Sequence, residues 1–390
     1  MPGRILVVGA SLGGLRAAEQ LRAAGWTGEL VLIGAEKHMP YNRPPLSKEA
    51  LAGSAAFETL AFRPRASIAD AVWRLGTPAV AADLAGRTVT LAGGERVEFD
   101  GLVVATGLRP RRLRCPGPAD GRHVMRTLDD AVALRAAVTR EGTRLAVVGA
   151  GFIGCEVAAT ARTLGAEVTV VDPLPLPMVA ALGELLATEL LRRHEERGVR
   201  FLLGRGVERY TVDGVVLSDG TGVPGDVVLE AVGSVPNVDW LAGNGLDLSD
   251  GVCCDGHLRV EGLSHVVAVG DVARFPNARY DSVPRRVEHW SIPTDTAKRA
   301  ARTLYAGLTG GGLDPAPFAP LPSFWSDQYE HRLQSFGAPA LGLDDVRPLS
   351  GVDGGDLLVG YHRDGRLVGV AALGGRGAVA AAARYRAELA

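Results

Sequence analysis

Residues 4–36 read RILVVGASLGGLRAAEQLRAAGWTGELVLIGAE, and this stretch decides the fold. Residues 5–8 form an apolar run without polar alternation, as in a strand buried on both faces, and the run stops at Gly9. Leu15, Ala18, Leu21 and Ala24 then recur at helical spacing, so the turn Gly9-Ala10-Ser11-Leu12-Gly13-Gly14 joins a buried strand to a helix N-terminus. Such a turn binds pyrophosphate: backbone N–H groups and the positive end of the helix dipole face the anion, and missing side chains let it approach. A second apolar run, 30–33, leads to Glu36, which places a carboxylate where a ribose diol would lie. Ser11 stands where the usual motif has its middle glycine, but strand, helix, second strand and terminal acid are all in place.

The pattern then repeats. Residues 144–156, RLAVVGAGFIGCE, overlay residues 4–16 with Gly149 on Gly9 and Gly154 on Gly14, and here Gly149, Gly151 and Gly154 are all present. The next strand, 168–171, ends at Asp172, again an acid about 20 residues on from the turn. Each half continues with short strand-like runs broken by glycine turns. The first leads to residues 102–105 and Thr106-Gly107, the second to residues 227–229 and Gly233. A β-meander therefore makes both crossovers, and two dinucleotides are implied. A third segment, 266–269, runs into Gly270-Asp271, and Val287-Glu288-His289-Trp290 precede a helix over 294–308. Residues 310–322, rich in Gly and Pro, mark a boundary. Beyond it, 357–362 and 367–372 flank the hairpin turn Asp364-Gly365, and the alanine-rich 378–389 reads as helix. The expected architecture is α/β: two Rossmann-like dinucleotide-binding domains, each a parallel sheet with a β-meander crossover, and a small α+β C-terminal domain. The boundaries are 1–115, 116–240, 241–320 and 321–390, the first and third segments forming one domain.

At 390 residues, 47% hydrophobic and 22% charged, the composition is that of a globular protein with room for several cores. A net charge of −2 gives no general attraction to nucleic acid or to an anionic membrane. No uncharged run approaches the ~18 residues of a membrane helix. A cytoplasmic protein, monomeric or weakly dimeric, is expected. Cys115, Cys155, Cys253 and Cys254 contain no CxxC and no metal-ligand spacing, so they read as ordinary reduced thiols and no metal site is expected. The proline-stiffened loop 38–48, HMPYNRPPLSK, follows directly on the first half-site, where Arg43 and Lys48 can reach phosphate or flavin.

These residues resemble the FAD-dependent, NADH-using ferredoxin reductases of the glutathione-reductase-like flavoprotein class, the family of putidaredoxin reductase and of biphenyl dioxygenase reductase components. The matching motifs are PYNRPPLSK (40–48), VVATG (103–107), MRTLDDA (125–131), GFIGCE (151–156), VGDVA (269–273), VEHW (287–290) and FWSDQY (324–329), in the family's order along nearly the whole chain. The resemblance implies FAD in the domain built from the first and third segments and NADH in the inserted middle domain. It implies that Gly9, Ser11, Gly13 and Gly14 hold the FAD pyrophosphate and Glu36 the adenosine ribose. Arg43 and Lys48 contact FAD, while Ala79, Ala105, Thr106, Gly107 and Arg126 line its site. Gly270-Asp271 sits toward the ribityl chain, and Trp290 beside the isoalloxazine. Gly149, Gly151, Ile153, Gly154, Asp172 and Gly233 belong to the NADH site. Lys48 and Glu156 resemble a pair placed near the flavin N5 and the nicotinamide, and Trp325 approaches the flavin from the partner side. The partner implied is an iron–sulfur ferredoxin, an acidic one-electron acceptor that supplies a haem monooxygenase or a Rieske dioxygenase.

Two departures stand out: Ser11, and Ser291-Ile292-Pro293 where the family has TNA after the tryptophan. Residues 374–390 match the family poorly. A disulfide reductase of the same plan would need a redox cysteine beside the flavin, and the first cysteine is Cys115. A rubredoxin reductase is an alternative, as is a non-enzymatic NADH sensor similar to apoptosis-inducing factor, though the chain has no lysine-rich tract for nucleic acid. To attract a ferredoxin, a near-neutral chain must gather cations locally. Candidates are Arg63, Arg65, Arg109, Arg111, Arg112, Arg114 and, beside Trp290, Arg285 with Arg286. Since no thiol takes part in the expected chemistry, replacing all four cysteines leaves reduction of bound flavin by NADH nearly intact. Loss of that reduction in the quadruple variant contradicts the reading.

Overall fold

Ile5, Leu6, Val7 and Val8 are at most 2% exposed, so the strand Arg4–Val8 needs cover on both faces and a neighbour at each edge. It lies at the centre of a five-stranded parallel sheet ordered Val266–Ala268, Gly101–Val104, Arg4–Val8, Glu29–Ile33, Val72–Arg74. The computed structural model describes residues 3–53, 55–352 and 354–389, and divides into two compact units. This sheet is the heart of the first, formed by Met1–Asn42, Ala61–Arg109 and Val235–Pro322. The helices Leu12–Ala24 and Ile292–Thr309 pack on each other, and the second buries Ala297, Ala300, Ala301 and Leu304 at helical spacing. An antiparallel meander, Ala79–Asp83, Thr88–Leu91 and Arg96–Glu98, joins the same core.

The second unit, Arg43–Leu60, Pro110–Ser234 and Ser323–Ala390, holds the repeat. Its parallel sheet runs Arg200–Leu203, Glu167–Asp172, Arg144–Val148, Val227–Glu230, Arg122–His123. The meander Val207–Thr211, Gly214–Leu217 and Gly222–Pro224 makes the crossover into Val227–Glu230. The C-terminal part is a five-stranded antiparallel sheet, ordered Ser323–Gln328, His331–Gly337, Arg366–Gly374, Leu357–Arg363, Val346–Pro348. It packs on the helix Phe152–Thr163, where the Phe152 and Phe324 rings meet edge to face at 5.0 Å. The hairpin turn is at Asp364-Gly365, both residues left-handed, and the alanine-rich end forms two helices, Arg376–Arg384 and Arg386–Leu389.

The units divide the chain after Asn42, Leu60, Arg109, Ser234 and Pro322, and residues 43–60 group with the second unit. Leu51 is fully buried among the second unit's helices, Thr160 Oγ1 donates to the Ser47 carbonyl at 2.8 Å, and Arg135 donates to the Leu51 carbonyl at 3.3 Å. Residues 321–390 likewise group with the middle of the chain.

Two adjacent glycines of the first turn separate packing from helix propensity. A Cβ on Gly14 would lie 1.9 Å from the Gly9 carbonyl oxygen, whereas one on Gly13 would sit at an ordinary 3.4 Å from Val269 Cγ1. Gly14→Ala therefore lowers stability by about 1–3 kcal/mol or more. Gly13→Ala is neutral or raises stability by up to ~1 kcal/mol. Thermal unfolding of the two variants checks this, and equal losses contradict it.

Candidate functional site

In the first unit the carboxyl ends of three central strands bring three turns together, as expected of a nucleotide-binding parallel sheet. Gly9 is left-handed (φ 118°), its N–H donates to the Ile33 carbonyl at 2.8 Å, and a Cβ there would lie 2.0 Å from the Ala105 carbonyl oxygen. The first glycine turn thus rests on the Ala105-Thr106-Gly107 turn. Gly13 abuts Val269, the residue before Gly270-Asp271. The Gly270 N–H donates to Thr296 Oγ1 at 3.0 Å, and this buried threonine donates to the Ile292 carbonyl at 2.6 Å, so the helix Ile292–Thr309 sets the position of Asp271. Asn237 clamps the middle turn: its side-chain amide donates to the Thr106 carbonyl at 3.0 Å, its backbone N–H to the Gly107 carbonyl at 2.9 Å, and Thr106 Oγ1 donates back at 2.7 Å.

Glu36 follows the strand Glu29–Ile33 and accepts from the buried Tyr41 hydroxyl at 2.5 Å. Gly76 N–H donates to the Glu36 carbonyl and Thr77 N–H to the Gly34 carbonyl, each at 2.8 Å, which ties the segment before Ala79 to that acid. Trp290 is 42% exposed, with its indole N–H on Asn42 Oδ1 at 3.0 Å. The geometry suits a dinucleotide. The first turn of Leu12–Ala24 holds no acid to repel a phosphate, and it presents the N–H groups that a helix leaves without intrahelical partners.

The second unit repeats the cradle with all its glycines. A Cβ on Gly149 (φ 109°) would meet the Ala231 carbonyl oxygen at 2.3 Å and one on Gly154 the Gly149 carbonyl oxygen at 1.9 Å, but around Gly151 nothing lies within 4 Å. Such an open face leaves room for an anion to approach the backbone. Asp172 accepts from the Ala150 N–H at 2.7 Å and the Leu174 N–H at 2.8 Å, so the strand-end acid also braces the turn. Ile153, 40% exposed, stands in the first turn of the helix Phe152–Thr163, and the Gly233 carbonyl accepts from the Arg111 N–H at 3.0 Å.

The same helix carries Glu156, only 5% exposed. Lys48 Nζ lies 2.6 Å from its Oε2, Ser47 Oγ donates to that oxygen at 2.5 Å, and Ser326 Oγ donates to Oε1 at 2.7 Å. The Lys48 ammonium also donates to the Pro44 carbonyl at 3.0 Å and to Ser47 Oγ at 3.3 Å, so its three protons are engaged and it acts as a fixed positive charge. Nearby, Arg43 donates to the Arg126 carbonyl at 2.6 Å, and the Arg126 N–H is held by Asp130 in the capping box that starts Leu128–Val138. Trp325 is partly buried in the strand that presents Ser326.

The expected site residues divide between the units: Gly9, Ser11, Gly13, Gly14, Glu36, Ala79, Ala105, Thr106, Gly107, Gly270, Asp271 and Trp290 lie in the first, whereas Arg43, Lys48, Arg126 and Trp325, expected at the flavin, lie in the second with the second turn, Glu156, Asp172 and Gly233. Sequence reasoning passed over Tyr41, Ser47, Asn237, Thr296, Ser326 and Gln328. Four of these stand inside quoted motifs, beside residues with more conspicuous chemistry. The cations expected to gather a partner are mostly spent. Asp281 takes Arg285, Asp250 and Glu288 take Arg286, Asp239 takes Arg109, and Glu230 takes Arg112. Around Arg285 and Arg286, three carboxylates face two cations, so that pair makes no positive patch.

The sequence family described as pyridine nucleotide-disulphide oxidoreductase matches residues 3–296, and that described as reductase C-terminal matches residues 323–388, so the match runs through most of the stretch 374–390 expected to fit poorly. The ferredoxin–NAD(+) reductase component of an anthranilate 1,2-dioxygenase system from Burkholderia cepacia is 37% identical over 383 residues, covering 94% of this chain and 90% of its own. Two crystal structures superpose closely. The ferredoxin reductase for the CYP199A2 system from Rhodopseudomonas palustris has a TM-score of 0.86 at 36% identity, with 95% of this chain and 91% of that one covered. A covalent putidaredoxin reductase–putidaredoxin complex has a TM-score of 0.85 at 31% identity, with 95% and 89% covered.

One titration follows from the geometry. His194 is 1% exposed, and burial pushes its ring down to about 4, against a raising effect of the Gln328 hydrogen bond and a lowering one from Arg197. The unfolded chain binds the proton first, near 6.5. Neutral His194 therefore contributes its full stability above that pH, and the contribution is lost as pH falls toward 4. The shift is worth up to roughly 3 kcal/mol. Thermal unfolding between pH 7 and 4 is expected to fall less steeply in His194→Gln than in the parent; equal slopes contradict this.

Proposed function

The chain belongs to the pyridine nucleotide-disulphide oxidoreductase family, and from that premise we propose that it is an NADH-dependent, FAD-containing ferredoxin reductase that supplies an oxygenase. One observation carries the reading: each unit has one glycine turn with its own strand-end acid, while all four cysteines are free. Cys155 and Cys254 are buried, and burial pushes their thiols up, away from reactive thiolates. With no disulfide among the described residues, the electrons of a hydride have no thiol store and pass to an outside acceptor. Relatives named as ferredoxin reductase components support an iron–sulfur carrier as that acceptor.

FAD, when bound, accepts a hydride and releases its electrons singly. The turn from Gly9 to Gly14 holds its pyrophosphate, Ser11 adding a hydroxyl, and Glu36 takes the adenosine ribose. Ala79, Ala105, Thr106, Gly107, Gly270, Asp271 and Trp290 belong to the same site, and family likeness adds Arg43, Lys48 and Arg126. Gly149, Gly151, Ile153 and Gly154 hold the NADH pyrophosphate, with Asp172 on its ribose and Gly233 at the neighbouring strand end. A hydride needs no proton-abstracting base, so the protein's task is to place the reactants and their surrounding charges. Glu156 orients the nicotinamide end, and the Lys48 ammonium, fixed by that carboxylate, offsets the charge a hydride delivers.

The test is NADH-dependent reduction of an iron–sulfur ferredoxin by the flavin-loaded protein, with ferricyanide as a non-specific acceptor. Both are expected to be reduced; ferricyanide reduction without ferredoxin reduction contradicts the assignment. Coenzyme choice follows from Asp172. Its carboxylate repels a 2′-phosphate, Pro173-Leu174-Pro175 brings no cation, and the Arg205 guanidinium is held by Asp219 at 3.1 Å. NADH is expected to exceed NADPH in kcat/KM by at least roughly tenfold, the factor for about 1.4 kcal/mol. A ratio near one refutes the assignment.

A further inference from the structure

The third donor on Glu156 begins a chain of buried hydrogen bonds that the proposed chemistry leaves unused. Ser326 Oγ lies 2.7 Å from Glu156 Oε1 and 3.0 Å from Gln328 Nε2, Gln328 Oε1 lies 2.7 Å from His194 Nε2, and the Tyr329 hydroxyl lies 3.4 Å from His194 Nδ1. Glu156, Ser326, Gln328 and His194 are each at most 5% exposed. Ser326 and Gln328 are two apart on the strand Ser323–Gln328, so the pleat turns both to one face.

The charge at one end sets every proton in the chain. An ionised carboxylate only accepts, so Ser326 spends its single proton on Oε1 and must itself accept from the Gln328 amide N–H. That leaves the amide oxygen facing His194, whose Nε2 then carries the ring proton while Nδ1 accepts from Tyr329. With the amide reversed, the hydroxyl proton would go to Gln328, and two acceptors would face each other across 2.7 Å. Lys48 and Ser47 both meet Oε2, so Ser326 is what stops the carboxylate turning about its Cγ–Cδ bond.

We infer that Ser326 is a positioning residue for hydride transfer: it holds the Glu156 carboxylate in one orientation, and Gln328 and His194 fix the proton with which it does so. The inference rests on the reading of Glu156 as the residue that orients the nicotinamide.

Single-turnover reduction of the bound flavin by NADH tests it on the holoenzyme. Ser326→Ala is expected to lower the limiting rate about tenfold, the loss that follows when a buried acceptor loses its donor. The dissociation constant for NADH should stay within about twofold, since uniform binding is not what is removed. Ser326→Thr, which keeps the hydroxyl, restores most of the rate. Glu156→Gln is slow by itself, and adding Ser326→Ala to it costs nothing more, because residues acting through one another are not additive. Additive losses, or a Ser326→Ala enzyme at the parental rate, overturn the inference while leaving the role of Glu156 intact. A parental rate in Glu156→Gln overturns both. Should Ser326→Ala fail to retain flavin, Gln328→Met carries the same test. It is expected to lose about threefold, and that loss too vanishes in the Glu156→Gln background; additivity there overturns the inference.

Discussion

A carboxylate taken out of water must be met by donors, and much of the second unit is arranged to meet one. Glu156 comes from the helix after the second glycine turn, Lys48 and Ser47 from the proline-stiffened segment, and Ser326 from the C-terminal sheet. Removing one partner would leave a buried charge short of a donor, which typically costs about 3–5 kcal/mol for an ion pair, so the three segments are locked in one arrangement. This explains why residues 43–60 and 323–390, far apart in the chain, belong to one compact unit. It also explains how a lysine can serve as a fixed charge: its ammonium protons are satisfied inside the protein, so its position does not depend on solvent.

The glycine turns impose the other constraint. Helix and strand can approach closely only where Gly14 and Gly154 leave no Cβ, and each turn can reverse tightly only where Gly9 and Gly149 adopt a positive φ. Because these needs are local, they were legible in the residues. The two parallel sheets, the meanders, the strand-end acids and the C-terminal hairpin stand where apolar runs and turn residues placed them. Ser11 shows which glycine is dispensable, since at the matching Gly151 an added Cβ would meet nothing within 4 Å.

Less legible was everything that depends on contacts between distant segments. Nothing in PPLSK says that Leu51 buries itself against helices of the second repeat, and nothing near Arg286 says that the distant Asp250 will spend its charge. Ser326 is one hydroxyl among many until the Glu156 carboxylate is found 2.7 Å from it. Loop packing and ion pairing are set by tertiary context, and local pattern carries little of it.

Two dinucleotide cradles without a redox disulfide amount to a direct route from NADH through one flavin to an outside acceptor. Anaerobic titration of the flavin-loaded protein with NADH, thiols blocked beforehand, tests this most directly. The account predicts that the visible flavin band bleaches fully and that the titration ends at equivalence with the flavin. A flavin that stays oxidised, or one that bleaches only after further equivalents have filled another electron store, would contradict it.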